Sequence, residues 1–500
     1  MKHKILSVEN MLYGVTAIIT LLAFIFPTQT TSIITMVNDN VRQSLDWFIL
    51  LLNNAFLFFM LYIAFSRYGK IVIGGHTATK EFSDISWFSM LFAAGLGVGL
   101  VLYGVAEPVV HTMSPPGGGN FLTANTPQAA RHGMLSTFFN WGPHAWSLYA
   151  ATSLAFGYFG YNRATSMQTG NFIFDLVKLK NYTPILVIID AIAYIAVLFG
   201  VIATLSLGVM SLSEGIMRLF PSLNDSDIIT FRILTLLSLA VVYTYSASTN
   251  IGKGIKNLSN INILIALALL IFVLIASDTS YIMRTFTTVT GEFLNNFLKI
   301  STDLKHFSGN EIWVENWSIA YYLWWIAFCP FIGIFVARIS KGRTFKEFIL
   351  STLILPSLVI FLWFSVFGGA ALHDIQILGN TQLGETILAH QEKGIYELLN
   401  ILPFSTVTTL FAVILSFIFL VTSADSAAYV MGMMAGGEEN PKRKSRIISA
   451  IILTFLTAYL IYARYDNNFL RNITLIGATP YLVIMILQAI AFFKALRRYE

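Results

Sequence analysis

Apolar residues in this chain come in unbroken blocks of about twenty, the length of a helix that crosses a bilayer. The blocks fall near 11–28, 46–66, 86–112, 133–158, 184–213, 230–247, 258–276, 316–337, 347–370, 404–434, 446–463 and 474–496. The pattern predicts an all-α integral membrane protein with twelve transmembrane helices, the first retained as a helix because no small-residue cleavage pattern follows it. Most connections are short. The longest, 277–315, sets Phe286, Phe293 and Phe297 among polar residues and predicts an amphipathic helix lying across the outer face. The Pro115-Pro116-Gly117-Gly118-Gly119 stretch reads as a turn-rich outer loop without chemistry.

Two blocks contain helix breakers, which a membrane tolerates only where freed backbone groups line a cavity or meet protein partners. The third reads Ala93-Ala94-Gly95-Leu96-Gly97-Val98-Gly99-Leu100, and the eighth contains Cys329-Pro330-Phe331-Ile332-Gly333. They lie five spans apart. Spans 3–7 and 8–12 then read as two inverted five-helix repeats, each opened by an interrupted helix, as in secondary transporters. The corresponding division is two leading helices in 1–84, a first repeat in 85–276, the connection 277–315, and a second repeat with a short tail in 316–500. The glycine run is no dinucleotide fingerprint, since it lies inside a span with no strand before it.

Composition agrees with the pattern. Of 500 residues, 56% are hydrophobic and 11% charged, and the mean hydropathy is +0.70. About 21 of the 31 Lys and Arg fall in the loops that share a side with both termini, so the positive-inside rule predicts cytoplasmic termini in the cell membrane. The net charge of +5 is this topological bias and not a nucleic-acid footprint. A single cysteine, Cys329, excludes a disulfide framework and a thiolate metal site. The tails are short, which argues against a signalling output. No His-Glu-x-x-His spacing, nucleophile elbow or acid–base pair suggests an enzyme, and no cofactor is expected.

Two aromatic clusters carry the candidate chemistry. Trp324, Trp325 and Phe328 share one sector of the eighth span, and Trp141, Trp146 and Tyr149 occupy the fourth. Rings of this kind serve as interfacial belts or packing, the role expected of Trp317. Two clusters beside helix breaks also suit an aromatic box for a quaternary ammonium, which has no hydrogen to donate and gains roughly 0.5–2 kcal/mol over each ring. Backbone N–H groups at a broken third helix suit a carboxylate, with Gly95, Gly97 and Gly99 permitting close approach. Small residues there equally serve helix packing. Thr422 and Ser423 in the tenth span either bond back to carbonyls one turn earlier or offer oxygens to a hard monovalent cation. Glu107, Asp190 and Asp425 are expected to act in structural hydrogen bonding or capping, and His144 to be packed and neutral.

Together these segments resemble the betaine/choline/carnitine transporter family over nearly the whole chain. The most specific match is Trp317-Ser318, Tyr321, Trp324-Trp325, Pro330 and Ala337-Arg338-Ile339-Ser340-Lys341-Gly342-Arg343. The resemblance implies a LeuT-type fold, a homotrimer and a substrate box of Trp141, Trp146, Tyr149, Trp324, Trp325 and Phe328, the last replacing the more usual Trp or Tyr. It also implies one sodium ion held by the carbonyls of Ala93, Leu96 and Phe419 and the hydroxyls of Thr422 and Ser423. Val197 and Val201 replace the two threonines of a second sodium site, although Phe331 remains. Gly99 stands where proton-coupled choline carriers often have Asp, which favours a zwitterion. The expected function is sodium-coupled import of a glycine betaine-like solute by alternating access. The alternative is a choline or carnitine carrier, proton-coupled or exchanging without sodium.

Overall fold

The computed structural model describes residues 8–117, 121–165, 168–177, 183–223, 227–249, 252–436, 440–465 and 467–498, without the side chains of 8–10, 93–96, 98, 174–177, 183–184, 252–257 and 468. The described residues are almost entirely helical. In chain order the helices are α1 Val8–Ile25, α2 Pro27–Phe65, α3 Asp84–Met113, α4 Pro127–Trp141, α5 Pro143–Gly157, α6 Thr169–Val177, α7 Thr183–Leu219, α8 Ile228–Ser248, α9 Gly252–Ala276 and α10 Thr279–Asn295. After two single turns follow α11 Glu311–Ile339, α12 Phe345–Gln376, α13 Thr381–Ala389, α14 Gly394–Ile401, α15 Ser405–Gly436, α16 Arg443–Tyr462 and α17 Asn467–Arg497.

Nine helices among the described residues are long and apolar enough to cross a membrane: α2, α7, α8, α9, α11, α12, α15, α16 and α17. The other three predicted blocks are also helical. The first forms α1, the third forms α3, and the fourth is divided between α4 and α5. The central packing sets α11 against α5, α17 and α7 against each other, and α15 against α7, with α3 beside α4 and α12. Small residues let α3 and α12 approach closely: a Cβ on Gly368 would lie 2.6 Å from Pro108, and one on Gly104 2.6 Å from the Trp363 indole nitrogen.

The breaks only partly follow the sequence pattern. Helix α3 is interrupted at Gly97, whose φ of 41° and ψ of −138° only glycine adopts readily. Helix α11, by contrast, runs unbroken through Pro330, which corrects the expected interruption of the eighth span. Close packing supports it there. Gly333 faces α5 so tightly that a Cβ would stand 2.6 Å from Thr152 Cγ2, and Cys329 and Pro330 are buried. An unforeseen break occurs in the fourth span at Gly142, which takes extended dihedrals and starts α5 with Pro143. A Gly-Pro pair is a breaker signal that the apolar run concealed.

Two polar connections hold the basic end of the bundle. Residues 71–73 pair with 342–345, with Gly342 N donating to Ile73 O at 2.8 Å and Phe345 N to Ile71 O at 2.8 Å. Buried Arg343 lies 4.0 Å over the Trp87 ring and pairs with Asp84 and Glu347. At the other end α10 is amphipathic as predicted, burying Ile282, Val289 and Phe293 along one face against α12 and α4.

Candidate substrate cage

The break at Gly142 puts Trp141 at the end of α4 and Trp146 and Tyr149 on α5. These three rings therefore do not share one helical wheel, but the turn still directs them to one centre. Trp325 of α11 is that centre. Its ring lies 5.4 Å from Trp141 at 89°, 5.2 Å from Tyr149 at 73° and 6.5 Å from Trp146. Its indole N–H donates to Asn140 O at 3.0 Å, fixing its rotation. A cavity opens beside it, lined by Trp141, Tyr149, Trp324, Trp325 and Phe328 together with Gly97, Gly99 and Ser423. Trp146 stands behind this layer, edge-on to Tyr149 at 5.7 Å. The side chains of Ala93, Gly95 and Leu96 lie outside those described.

Three lining residues were missed by the sequence reading, Thr204 and Leu205 of α7 and Leu420 of α15, and Val201, noted only as replacing a sodium-site threonine, lines the cavity beside them. The Thr204 hydroxyl is buried without a partner. Its signal was a lone threonine three residues after Val201 in an apolar run. Phe328 is seated on α7, where a Cβ on Gly200 would come within 3.0 Å of its Cε2. No carboxylate lines the cavity among the described residues.

Glu107 supports the cage from α3. This fully buried carboxylate accepts from Trp141 Nε1 at 2.6 Å, Tyr321 Oη at 2.6 Å and Asn140 Nδ2 at 2.9 Å, and it faces His111 Nε2 at 3.3 Å. Asn140 in turn accepts from Ser318 at 2.9 Å. One acid thereby ties α3 to α4 and α11 and holds Trp141 by its nitrogen, a structural role as expected. Asp190 is also structural, accepting from Gly170 N at the start of α6. His144 is buried, bonded to Asn54 and stacked on Phe297. Trp317, expected as an interfacial anchor, is half-buried between His111, 4.3 Å away, and Arg471, 4.6 Å away.

Access is unequal at the two ends. Tyr103 closes one side, 5.8 Å from Trp324, 6.0 Å from Tyr321 and 6.0 Å from Trp141. On the other side Phe331 and Ser423 belong both to the cage cavity, about 60 Å³, and to a vestibule of about 750 Å³ that reaches Arg338 and Arg446. The cage therefore faces the basic end of the bundle.

The α3 break abuts the α15 hydroxyl pair, since a Cβ on Gly97 would lie 3.1 Å from Ser423 Oγ. Thr422 donates back to Ile418 O at 2.9 Å and Phe419 O at 3.2 Å. Such back-bonding uses its proton and leaves oxygen lone pairs to accept a cation. Among the described residues no cluster of three His, Cys, Asp or Glu side chains offers a conventional metal site.

Comparison with known proteins follows the same line. A family model described as "BCCT, betaine/carnitine/choline family transporter" matches residues 8–500. The chain is 34% identical to the glycine betaine transporter OpuD of Bacillus subtilis over all of itself and 95% of that protein. It is 34% identical to the high-affinity choline transport protein of Escherichia coli K12, covering 92% of this chain and 67% of the other. It is 32% identical to the ectoine/hydroxyectoine transporter of Virgibacillus pantothenticus, covering 91% and 89%.

Proposed function

The chain belongs to the betaine/carnitine/choline transporter family, and from that premise we propose that it imports a zwitterionic quaternary ammonium compound, glycine betaine or a close analogue, together with sodium. It is a membrane transporter and not an enzyme. The observation that carries the substrate reading is a cage walled by six aromatic rings, Phe331 included, and by Gly97 and Gly99 of a broken helix. The rings receive the methylated nitrogen, which cannot donate a hydrogen bond. The exposed backbone and the unpartnered Thr204 hydroxyl receive the carboxylate. A cage whose described lining holds no carboxylate suits a substrate that brings its own.

The sodium reading rests on Thr422 and Ser423 beside the α3 break, with carbonyls of Ala93, Leu96 and Phe419 completing the shell. Sodium there ties α3 to α15 and so shapes the glycine wall. Alternating access then runs in a LeuT-type bundle of twelve spans with both termini in the cytoplasm, assembled as a homotrimer. In that topology the open vestibule is the inward-facing state. One charge crossing about 100 mV supplies roughly 2.3 kcal/mol, and a tenfold sodium gradient adds about 1.4 kcal/mol. The two together sustain roughly 500-fold accumulation.

A choline or carnitine carrier, proton-coupled or exchanging without sodium, is the second reading, favoured by Phe328 where a larger ring is usual. Uptake of labelled glycine betaine, choline and carnitine into proteoliposomes, with and without an inward sodium gradient, separates the two. Sodium-stimulated betaine uptake that vanishes in the Thr422→Ala, Ser423→Ala double variant is expected. Faster uptake of choline than betaine, or exchange indifferent to sodium, would overturn the reading.

A further inference from the structure

We infer that the inner vestibule contains a second, transient cation site centred on Asp425, through which the coupling ion passes on its way out. The inference rests on the sodium reading above and adds a station to it.

Thr422, Asp425, Ser426 and Tyr429 all line the vestibule. Their spacing of three, four and seven residues places them on one face of α15. The oxygens of this face thus descend from the hydroxyl pair at the α3 break toward the basic mouth, about 1.5 Å per residue. Asp425 lies one turn below Thr422. It is 5% exposed, and its Oδ1 is buried with no hydrogen-bond partner. Ser246 of α8, Thr249 and Ser259 line the same space as this carboxylate. A buried carboxylate oxygen without a donor is costly, and within a membrane protein such a group marks an ion path.

Carboxylate and hydroxyl oxygens of this kind suit a hard cation. Arg446 lies close enough to act on Asp425 electrostatically. Its positive charge weakens cation binding there without abolishing it. Passage requires that combination, a site attractive enough to accept the ion and weak enough to release it. Beyond it, Arg338 and Arg446 stand at the mouth, with Arg338 bonded to Tyr429 at 2.7 Å. Glu81 lines the same vestibule, so the rim carries both signs of charge and Asp425 is the buried carboxylate nearest the hydroxyl pair in sequence.

The test measures how sodium inside proteoliposomes inhibits the initial rate of labelled glycine betaine uptake, with external sodium fixed and potassium chloride balancing osmolarity. An exit site is also the first site that sodium meets when it rebinds from inside. Asp425→Asn should therefore raise the half-inhibiting internal sodium concentration at least fivefold. Asp425→Glu should keep it within threefold of the original, and Ser246→Ala should raise it two- to threefold. If Asp425→Asn does not fold, Ser246→Ala and Asp425→Glu still decide the matter. An unchanged response in the folded variants overturns the second site and leaves the sodium reading intact. So does an equal shift in Arg446→Gln, which would make Asp425 only a structural partner of the arginine. If uptake by the unaltered protein ignores sodium on both sides, the sodium reading fails and the second site fails with it.

Discussion

Gly99 of α3 and Trp141 of α4 approach so closely that a Cβ on the glycine would stand 3.0 Å from Cη2 of the indole. The glycine wall and the aromatic wall of the cage are thus one fitted surface. A methyl group at residue 99 must push Trp141 toward Trp325, its neighbour at 5.4 Å. Gly99→Ala is expected to weaken glycine betaine binding about tenfold, since misplacing one ring forfeits an interaction of roughly 0.5–2 kcal/mol. Titration of intrinsic tryptophan fluorescence reads this directly. An unchanged midpoint would show that the substrate does not use Trp141.

Trp325 meets Trp141, Trp146 and Tyr149, so its removal opens the cage and deletes a face. Trp325→Ala should lower affinity more than Gly99→Ala, by about a hundredfold, combining the lost cation–π face with a cavity left in the packing. Equilibrium binding of labelled substrate to purified protein is the measurement. Normal affinity in a folded variant would place the ammonium elsewhere.

Glu107 orients Trp141 without lining the cavity. Replacing it by Gln keeps the shape but turns one accepting oxygen into a donor facing Trp141, Tyr321 or Asn140. That leaves at least one buried donor unpaired, at a cost of about 1–3 kcal/mol. Glu107→Gln is expected to lower both thermal stability and substrate affinity, the latter about tenfold. A purely structural acid would lower the unfolding temperature alone, so measuring both separates positioning of Trp141 from simple packing.

These groups differ in how visible they were beforehand. Long apolar blocks specify helices because a helix satisfies its own backbone in lipid, so each block is helical, although α2 begins well before its block and the fourth block is broken at Gly142. The glycine run identified the broken helix, and the structure narrows the break to Gly97. Pro330 misled because a proline inside a membrane helix need not break it when neighbours pack tightly. Gly142-Pro143 was overlooked because the apolar run continues across it. The aromatic residues were found by type and spacing. The role of Glu107 in fixing Trp141 was not, because its partners Asn140, Trp141 and Tyr321 are brought together only by the packing of three helices.

Phe328 is the cage member whose size bears on selectivity. It lies against Gly200, leaving no room behind the ring. A larger indole must therefore extend into the cavity. Phe328→Trp should tighten binding of glycine betaine severalfold and weaken that of bulkier carnitine by at least tenfold. A competition series against labelled betaine reads both changes. If both ligands weaken equally, the ring at this position packs the bundle and does not measure the substrate.

Gly342 and Gly75 separate two costs that usually occur together. Both have positive φ, 84° and 86°, but a Cβ on Gly75 meets nothing within 4 Å. On Gly342 it would lie 2.3 Å from the Thr79 carbonyl carbon. Gly75→Ala therefore carries only backbone strain, about 1–2 kcal/mol. Gly342→Ala adds a clash with the Thr79–Lys80 backbone, which must displace either that stretch or the 342–345 segment paired with 71–73. Those segments position Arg343, which is buried between Asp84 and Glu347 and lies over Trp87. Gly342→Ala should lower the unfolding temperature in detergent clearly more than Gly75→Ala and reduce the yield of folded protein. Equal shifts would mean that the contact with Thr79 relaxes freely and that this junction does not hold the start of α3 and the end of α11 together.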